Sequence, residues 1–189
     1  MATDPPAATR AGAPSSVAPQ AERPARPVVR SAPATPPPIR PVDPPVHVDV
    51  VEVGIGAEVV PVGVTADGQM ELPVDPDVVG WYRHGSAPGE GSGSIVLAGH
   101  VDSRRYGVGQ LARLREIEVG DGVNVRTGGG VDARYRVVDV DSVPKARLPV
   151  ADLFRRDGEE RLVLVTCGGE FDRSRGTYEE NIVVTAVRA

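Results

Sequence analysis

From Val46 to the carboxyl end, the chain is built of short runs rich in Val, Ile and Thr, separated by Gly and Pro. The runs are HVDVVEVGIGAEVVPVGV, SIVLAG, GDGVNVRTGGGVDARYRVVDVDSV, RLVLVTC and NIVVTAV. Gly54 and Gly56 divide the first into two strands, and Gly128 to Gly130 make the third a hairpin pair. Runs of this kind, bounded by turn residues, are typical of β-strands. Many short strands predict an all-β barrel or sandwich.

Helical spacing of apolar residues occurs in only two windows. These are VGQLARLREI, near 108–117, and LPVADLFRRDG, near 148–158. Both predict short helices, because apolar residues recur there at intervals of three and four. The architecture is therefore predicted to be mostly β, with one or two short helices.

Residues 1–45 have a different composition, with 13 of the 19 prolines and no aromatic residue. Proline fixes φ and removes a backbone donor, and the segment has too little apolar area to offset the entropy of ordering. We predict a disordered or polyproline-like spacer over 1–45 and one compact domain over 46–189. A fusion scar or a degraded tail would have a similar composition.

Charge and cysteine content exclude some classes of partner. A net charge of −5 and a pI near 5.3 give no basic footprint for nucleic acid. The single Cys permits no internal disulfide, and no His pair has the spacing of metal ligands. No stretch approaches the roughly 18 apolar residues of a membrane span. We expect neither a metal nor another cofactor, and no nucleic-acid partner.

Cys167 ends the apolar run RLVLVTC and precedes Gly168 and Gly169. A lone Cys after such a run is more often a buried structural residue than a nucleophile. The glycine pair, however, is expected to end the strand and to leave the thiol accessible. The apolar strand before it predicts a central position in the sheet. Both interpretations of Cys167 stay open on this pattern alone.

His100 stands in the same kind of setting, since SIVLAGH is also an apolar strand, a small pair and one reactive group. Two such strands side by side would place imidazole and thiol at one rim, as nucleophilic cysteine chemistry needs. His47, at the start of the first β run, is expected at a strand edge or surface. His84 lies in a glycine-rich loop, where it is either exposed or a substrate contact.

LVTC, Leu164 to Cys167, resembles the Leu-x-Thr-Cys motif of sortases, the cysteine transpeptidases of Gram-positive bacteria. AGHVD, Ala98 to Asp102, resembles their histidine segment. The longer segments Gly80 to Ser103 and Val165 to Ala186 are similar to the actinobacterial class F. The resemblance covers roughly residues 46–189.

The resemblance implies an eight-stranded β-barrel that recognises a Leu-Pro-x-Thr-Gly sorting signal. Cys167 would attack the Thr carbonyl to form a thioacyl enzyme, and His100 would transfer protons to the leaving amine and from the incoming one. The acceptor would be the amine of a peptidoglycan precursor at the extracellular face of the membrane. The Pro-rich arm would then be a spacer that follows an amino-terminal anchor. A monomer is expected.

Sortases also place an Arg on the strand after the cysteine, where it binds substrate and stabilises the oxyanion. Here NIVVTA puts Asn181 at or near that position. Arg173, in the loop between, is predicted to supply the cation, with Asn181 as a neutral donor or a substrate clamp. Further candidates for substrate or oxyanion contacts are Thr166, Gly168 and Arg175. Asp102 is not assigned as a third catalytic member, because it could simply cap a turn.

Two other functions are compatible with parts of the pattern. One is a non-catalytic β-domain displayed on the cell surface, with Cys167 buried. The other is an L,D-transpeptidase, which is also β-rich and cysteine-dependent. That class has a Ser-x-Gly-Cys-x-Arg motif, which this sequence lacks.

Overall fold

The computed structural model describes residues 43–189. The predicted Pro-rich spacer therefore lies outside the described residues, apart from its last three. Asp43 is bound to the domain: its carboxylate accepts hydrogen bonds from Thr127 Oγ1 at 2.6 Å and from the Gly129 N–H at 2.7 Å. The first strand begins at Pro45. The predicted boundary at residue 45 thus falls inside the β structure.

Eight of the ten strands close into a barrel. In chain order the strands are β1 (Pro45–Val50), β2 (Ile55–Val62), β3 (Val78–Tyr82), β4 (Ser94–Ala98), β5 (Asp102–Ser103), β6 (Gly107–Val108), β7 (Gly122–Thr127), β8 (Asp132–Pro144), β9 (Arg161–Asp172) and β10 (Thr177–Arg188). The order around the barrel is β1-β2-β3-β4-β9-β10-β8-β7, and β5 and β6 form a separate ribbon. Closure leaves the barrel without a free edge. The predicted eight-stranded barrel is confirmed.

Alternation of side chains along the strands fills the barrel interior. In β2, Ile55, Ala57 and Val59 are buried, whereas Gly56 and Glu58 between them are exposed. Successive residues of a strand point to opposite faces, so one face of each strand supplies the core. Burying one such aliphatic side chain contributes about 1.5–3 kcal/mol.

The helices are shorter than predicted. The window near 108–117 contains a 3-10 helix, Gln110–Arg115, whose Leu111 and Leu114 are fully buried. The window near 148–158 contains only a four-residue α-helix, α1 (Val150–Leu153), which follows a 3-10 turn at Lys145–Arg147. Proline cannot continue a helix, and Pro149 separates the two pieces.

Two strand predictions need correction at glycines. Gly56 lies inside β2, because the chain reverses earlier, over 51–54, where Gly54 has φ +67°. The sequence pattern also misses β3, which has only two Val residues before Gly80. At Gly80 a Cβ would lie 3.0 Å from a Val62 methyl, so glycine permits the close approach of β2 and β3.

The predicted end of the cysteine strand at Cys167 is also wrong, since β9 continues to Asp172 and forms a long hairpin with β10. The register shifts between Tyr178 and Glu180, which places an extra residue on β9. Gly169, at φ +71°, provides this bulge, and the ladder resumes beyond it. The predicted central position is confirmed, because β9 lies between β4 and β10.

Glu160 is a buried carboxylate just before β9, and its oxygens are fully engaged. Oε2 accepts the N–H groups of Gly89 at 3.0 Å and Gly91 at 2.7 Å. Oε1 accepts the Tyr135 hydroxyl at 2.7 Å and lies 3.5 Å from the Arg188 guanidinium. Burial, reinforced by this carboxylate, raises the pKa of Tyr135. Glu160 therefore ties the glycine-rich loop before β4 to the barrel wall.

We expect Glu160→Ala to lower the free energy of unfolding by about 3 kcal/mol, because it leaves buried donors and a guanidinium unpaired. Urea denaturation measures the change. Glu159→Ala is the matched control, since the Glu159 side chain is exposed, and it should change stability by less than about 0.5 kcal/mol. Equal stabilities for the two variants would contradict the structural role of Glu160.

None of the helices in residues 43–189 is long and apolar enough to cross a membrane.

Candidate active site

The two sequence-predicted reactive side chains lie on neighbouring strands. β4 pairs with β9 in parallel, with Ala98 opposite Val165. Beyond this pair, the Gly99 N–H donates to the Val165 carbonyl at 3.2 Å. His100 follows Ala98 by two residues, and Cys167 follows Val165 by two. The imidazole and the thiol therefore leave the barrel wall at the same level.

Thr166 holds this junction together. Its side chain is buried, and its hydroxyl donates to the Gly99 carbonyl at 2.9 Å. The bond joins the residue before Cys167 to the residue before His100. In the structure Thr166 therefore fixes the two strands to each other, and its hydroxyl faces a backbone carbonyl.

Cys167 belongs to the outer face of the barrel. Leu162 and Leu164 lie in the interior core, whereas Val163 belongs to a second apolar cluster on the other face of the sheet. Alternation along β9 continues through Val165 to Cys167 on that outer face. Cys167 is half-buried and has no disulfide partner within residues 43–189. A half-buried thiol gives less support to the buried structural cysteine that the sequence left open.

The second apolar cluster follows the same face as Cys167. Its buried members are Val96, Leu153, Val163 and Val183, and partly buried around them are Met70, Tyr82, Val143, Leu148, Phe154 and Val165. The cluster therefore combines the outer face of β4, β9 and β10 with the helical segment 145–154, which packs against it. This outer apolar cluster leads along the strands toward the thiol.

The sortase domain family matches residues 48–189, well over half of the chain. The chain belongs to the sortase family. Sortases are cysteine transpeptidases that act at the cell surface, on a sorting-signal substrate and an amine nucleophile. Family membership makes this chain a transpeptidase of that type.

Solved sortase structures share the fold. The lid mutant of sortase C1 from Streptococcus agalactiae is 19% identical, with a TM-score of 0.57 over 76% of this chain and 68% of that chain. Sortase C from Clostridium perfringens SM101 is 18% identical, with a TM-score of 0.55 over 76% and 68%. The sortase D5 transpeptidase of Clostridium perfringens is 20% identical, with a TM-score of 0.55 over 76% and 77%. No match was found among curated proteins.

In this sortase Asn181 lies directly opposite Cys167 in the β9–β10 ladder. Val183, two residues further, belongs to the outer apolar cluster, so Asn181 and Cys167 share the outer face. Arg188, the one arginine in β10, lies seven residues away and is engaged with Glu160. β10 therefore carries a half-buried amide opposite Cys167.

The two arginines of the β9–β10 loop lie at the hairpin tip. Asp172 accepts hydrogen bonds there from the Ser174 hydroxyl at 2.6 Å and the Ser174 N–H at 2.8 Å, which hold the pKa of Asp172 below its usual value. Arg175 is exposed and lies 3.5 Å from Asp172. Arg173 is also exposed. The structure does not bring either side chain to Cys167, since five residues of extended strand span about 16 Å.

Gly168 and Gly169 have packing and backbone reasons for being glycine. A Cβ at Gly168 would lie 2.7 Å from the Ile182 side chain, and one at Gly169 would lie 2.8 Å from Glu180. Gly169 also needs its positive φ for the bulge. The absence of side chains after the cysteine is therefore required by the hairpin itself, whatever its value for substrate approach.

Sequence reasoning missed Tyr178 and Arg115, which adjoin this site. The Tyr178 hydroxyl donates to Asp102 Oδ2 at 2.5 Å, and the Arg115 guanidinium carbon lies 5.7 Å from the Tyr178 ring centroid. Asp102 is thus engaged with a tyrosine of β10. No local pattern signals this contact, because 76 residues separate its partners. Within residues 43–189 no group of acidic, His or Cys side chains could hold a metal ion.

We expect Thr166→Val to lower the free energy of unfolding by about 1–3 kcal/mol, because the buried Gly99 carbonyl loses its partner. Urea denaturation measures this loss. Thr185→Val, at a half-buried position on β10 whose hydroxyl makes no hydrogen bond with residues 43–189, is the control and should cost less than about 0.5 kcal/mol. If Thr166→Val were no more costly than the control, the bond would not be what joins β4 to β9.

Proposed function

We propose that this sortase cleaves a Leu-Pro-x-Thr-Gly-like sorting signal between Thr and Gly, with Cys167 as nucleophile and His100 as the proton-transfer group. The observation that carries the proposal is the shared level of the two residues, Cys167 on β9 and His100 just beyond the end of the parallel strand β4, with the thiol half-buried. Neither residue is sealed in the interior core.

In the first step the Cys167 sulfur attacks the Thr carbonyl carbon, and the C–N bond to Gly breaks. His100, as imidazolium, gives its proton to the leaving amine, and a thioester links the signal to Cys167. In the second step an incoming amine attacks this thioester. His100 accepts the proton of that amine, and the thiolate leaves, so the pair returns to its starting state.

The outer apolar cluster is suited to the Leu and Pro of such a signal. A peptide that lies along the outer face of β4 and β9 would contact aliphatic side chains such as Val165 before its Thr reached the thiol. Burial of apolar substrate groups would supply binding energy, and the strands beneath are rigid. We place the Leu-Pro part of the signal at the Val165 end of this cluster, because segment 145–154 already covers its buried members.

Two residues could stabilise the oxyanion that forms when Cys167 attacks. Asn181 is opposite Cys167 and could donate its amide hydrogens to the developing oxyanion. Arg173 carries the charge that other sortases use, but it would have to reach back from the hairpin tip. We propose Asn181 as the donor. The substrate contacts of Thr166, Gly168 and Arg175 stay predictions from sequence, since the Thr166 hydroxyl is bonded to Gly99 and Arg175 lies beside Asp172 at the hairpin tip. Arg173 stays a prediction from sequence.

The finer biological setting is also proposed. The sequel GG-F-D-G-Y-N-IVV supports a class F-like sortase of the actinobacterial kind, as does the segment around His100. The acceptor would be the amine of a peptidoglycan precursor, at the extracellular face of the membrane. The Pro-rich residues 1–45 would act as a spacer between membrane and catalytic domain, and the enzyme would work as a monomer.

We expect Cys167→Ala and His100→Ala each to lower kcat/KM for a Leu-Pro-x-Thr-Gly peptide by at least about 1,000-fold, because each removes a reacting group. Product formation with an added amine, followed by mass spectrometry, measures turnover and detects the thioacyl adduct. His47→Ala is the control: His47 lies on β1, away from β9, and contacts Asp49. Turnover by the Cys167 variant would eliminate the proposal.

Comparing Asn181→Ala with Arg173→Ala shows which of the two residues stabilises the oxyanion. Asn181→Ala should reduce kcat at least about ten-fold, equivalent to roughly 1.4 kcal/mol of barrier, whereas Arg173→Ala should stay within two-fold of the parent. Arg175→Ala, at the same hairpin tip, controls for loss of charge. If the Arg173 variant loses activity and the Asn181 variant does not, the cation reaches the site and the amide does not act there.

A further inference from the structure

A side-chain bridge connects the strand after the cysteine to the loop after the histidine. Tyr178 stands near the start of β10, opposite Phe171 of β9. Its hydroxyl donates to Asp102 Oδ2 at 2.5 Å. Asp102 is only two residues beyond His100. The bridge thus runs from the β9–β10 hairpin, which carries Cys167, to the loop that carries His100.

This bridge is the one hydrogen bond among residues 43–189 that ties segment 100–103 to β9 or β10. The regular pairing of β4 with β9 ends at Ala98, and the Thr166 bond reaches only Gly99. The other bonds of the loop are local or lead to β6, such as Gly109 N–H to the Val101 carbonyl at 3.0 Å. Without the bridge, the position of His100 relative to Cys167 would depend on the bonds of Gly99 on one side and the packing of the buried Val101 on the other.

The Tyr178 ring is itself held from two other sides. Phe171 packs against it edge to face, with ring centroids 5.1 Å apart. The Arg115 guanidinium carbon lies 5.7 Å from the ring centroid, at the end of the 3-10 helix. Aromatic pairs and cation–π contacts of this geometry are attractive and restrain the ring. The phenol therefore reaches Asp102 from a ring whose position is already fixed.

We propose that Tyr178 is a positioning residue: through its hydrogen bond to Asp102 it fixes the His100 loop against the β9–β10 hairpin, so that the imidazole can exchange a proton with the amine that leaves or attacks at Cys167. The inference rests on the proposed function of those two residues. Proton transfer needs donor and acceptor within about 2.6–3.2 Å, and a misplacement of 1 Å can cost about 100-fold in rate. A single bond that limits loop motion can therefore control turnover.

The charges around the phenol agree with this role. The hydrogen bond to Asp102 and desolvation raise the pKa of Tyr178, whereas the Arg115 guanidinium acts in the opposite direction. Tyr178 thus remains a protonated donor at neutral pH.

Tyr178→Phe is the decisive variant, because it removes the hydroxyl and keeps the ring against Phe171 and Arg115. We expect kcat for the sorting-signal peptide to fall at least ten-fold while KM stays within two-fold. Alkylation of Cys167 that prior incubation with the peptide prevents, counted by mass spectrometry, gives the number of active sites and corrects for any loss of folded enzyme. Tyr106→Phe is the matched control: Tyr106 is exposed at the tip of the β5–β6 ribbon, and its hydroxyl makes no hydrogen bond with residues 43–189.

A double-mutant cycle tests whether the two side chains act through one bond. Asp102→Ala should lose as much activity as Tyr178→Phe, and the double variant should lose no more than either. Asp102→Asn keeps an acceptor oxygen and should recover most of the rate. Independent, additive losses would overturn the inference. So would a Tyr178→Phe enzyme whose kcat, per alkylated site, equals that of the parent.

A second readout separates this inference from the proposed function. The rate at which iodoacetamide alkylates Cys167 at pH 7 needs no peptide and depends on the imidazole that stabilises the thiolate. We expect Tyr178→Phe to slow it at least three-fold and Tyr106→Phe to leave it unchanged. If the parent fails to cleave the peptide but the alkylation rates differ as stated, the proposed substrate is wrong and the bridge stands. Equal alkylation rates in the parent, Tyr178→Phe and Tyr106→Phe enzymes would contradict the proposed role of Tyr178.

Discussion

Strands β4 and β9 run parallel through the barrel wall, and their backbone hydrogen bonds set the height at which His100 and Cys167 leave the sheet. Parallel neighbours carry their carboxyl ends to the same side, so two residues far apart in sequence emerge together. The Thr166 hydroxyl extends this pairing by one residue beyond the regular ladder. Every other feature of the site is placed relative to this junction.

The hairpin of β9 with β10 completes the site from the other side. It sets Asn181 opposite Cys167, and its bulge at Gly169 shifts the pairing before Tyr178 is reached. A bulge re-aims the side chains beyond it. The same strand β10 therefore presents an amide beside the thiol and, three residues earlier, a phenol to the loop of His100.

The sheet around β9 has an apolar surface on each of its two faces. The interior core, which includes Leu162 and Leu164, stabilises the barrel, while the outer apolar cluster around Val163 and Val183 faces the segment 145–154. A strand that is apolar on both faces is costly to leave exposed, so the outer face needs a cover. The proposed path of the peptide to Cys167 runs beside that cover.

The sequence by itself determined the β architecture, and it suggested that the strands before His100 and Cys167 could be neighbours. Alternating Val and Ile, turn glycines and the repeated order of apolar strand, small residue and reactive group are all local patterns. The sequence pattern placed the end of β9 too early, because the same local sequence is compatible with a glycine in a bulge and with a glycine at a strand end. The exposed hairpin-tip position of Arg173, and the contact of Tyr178 with Asp102, were decided only by tertiary structure. Such placements depend on register, bulges and loop paths between distant segments, which no local spacing encodes.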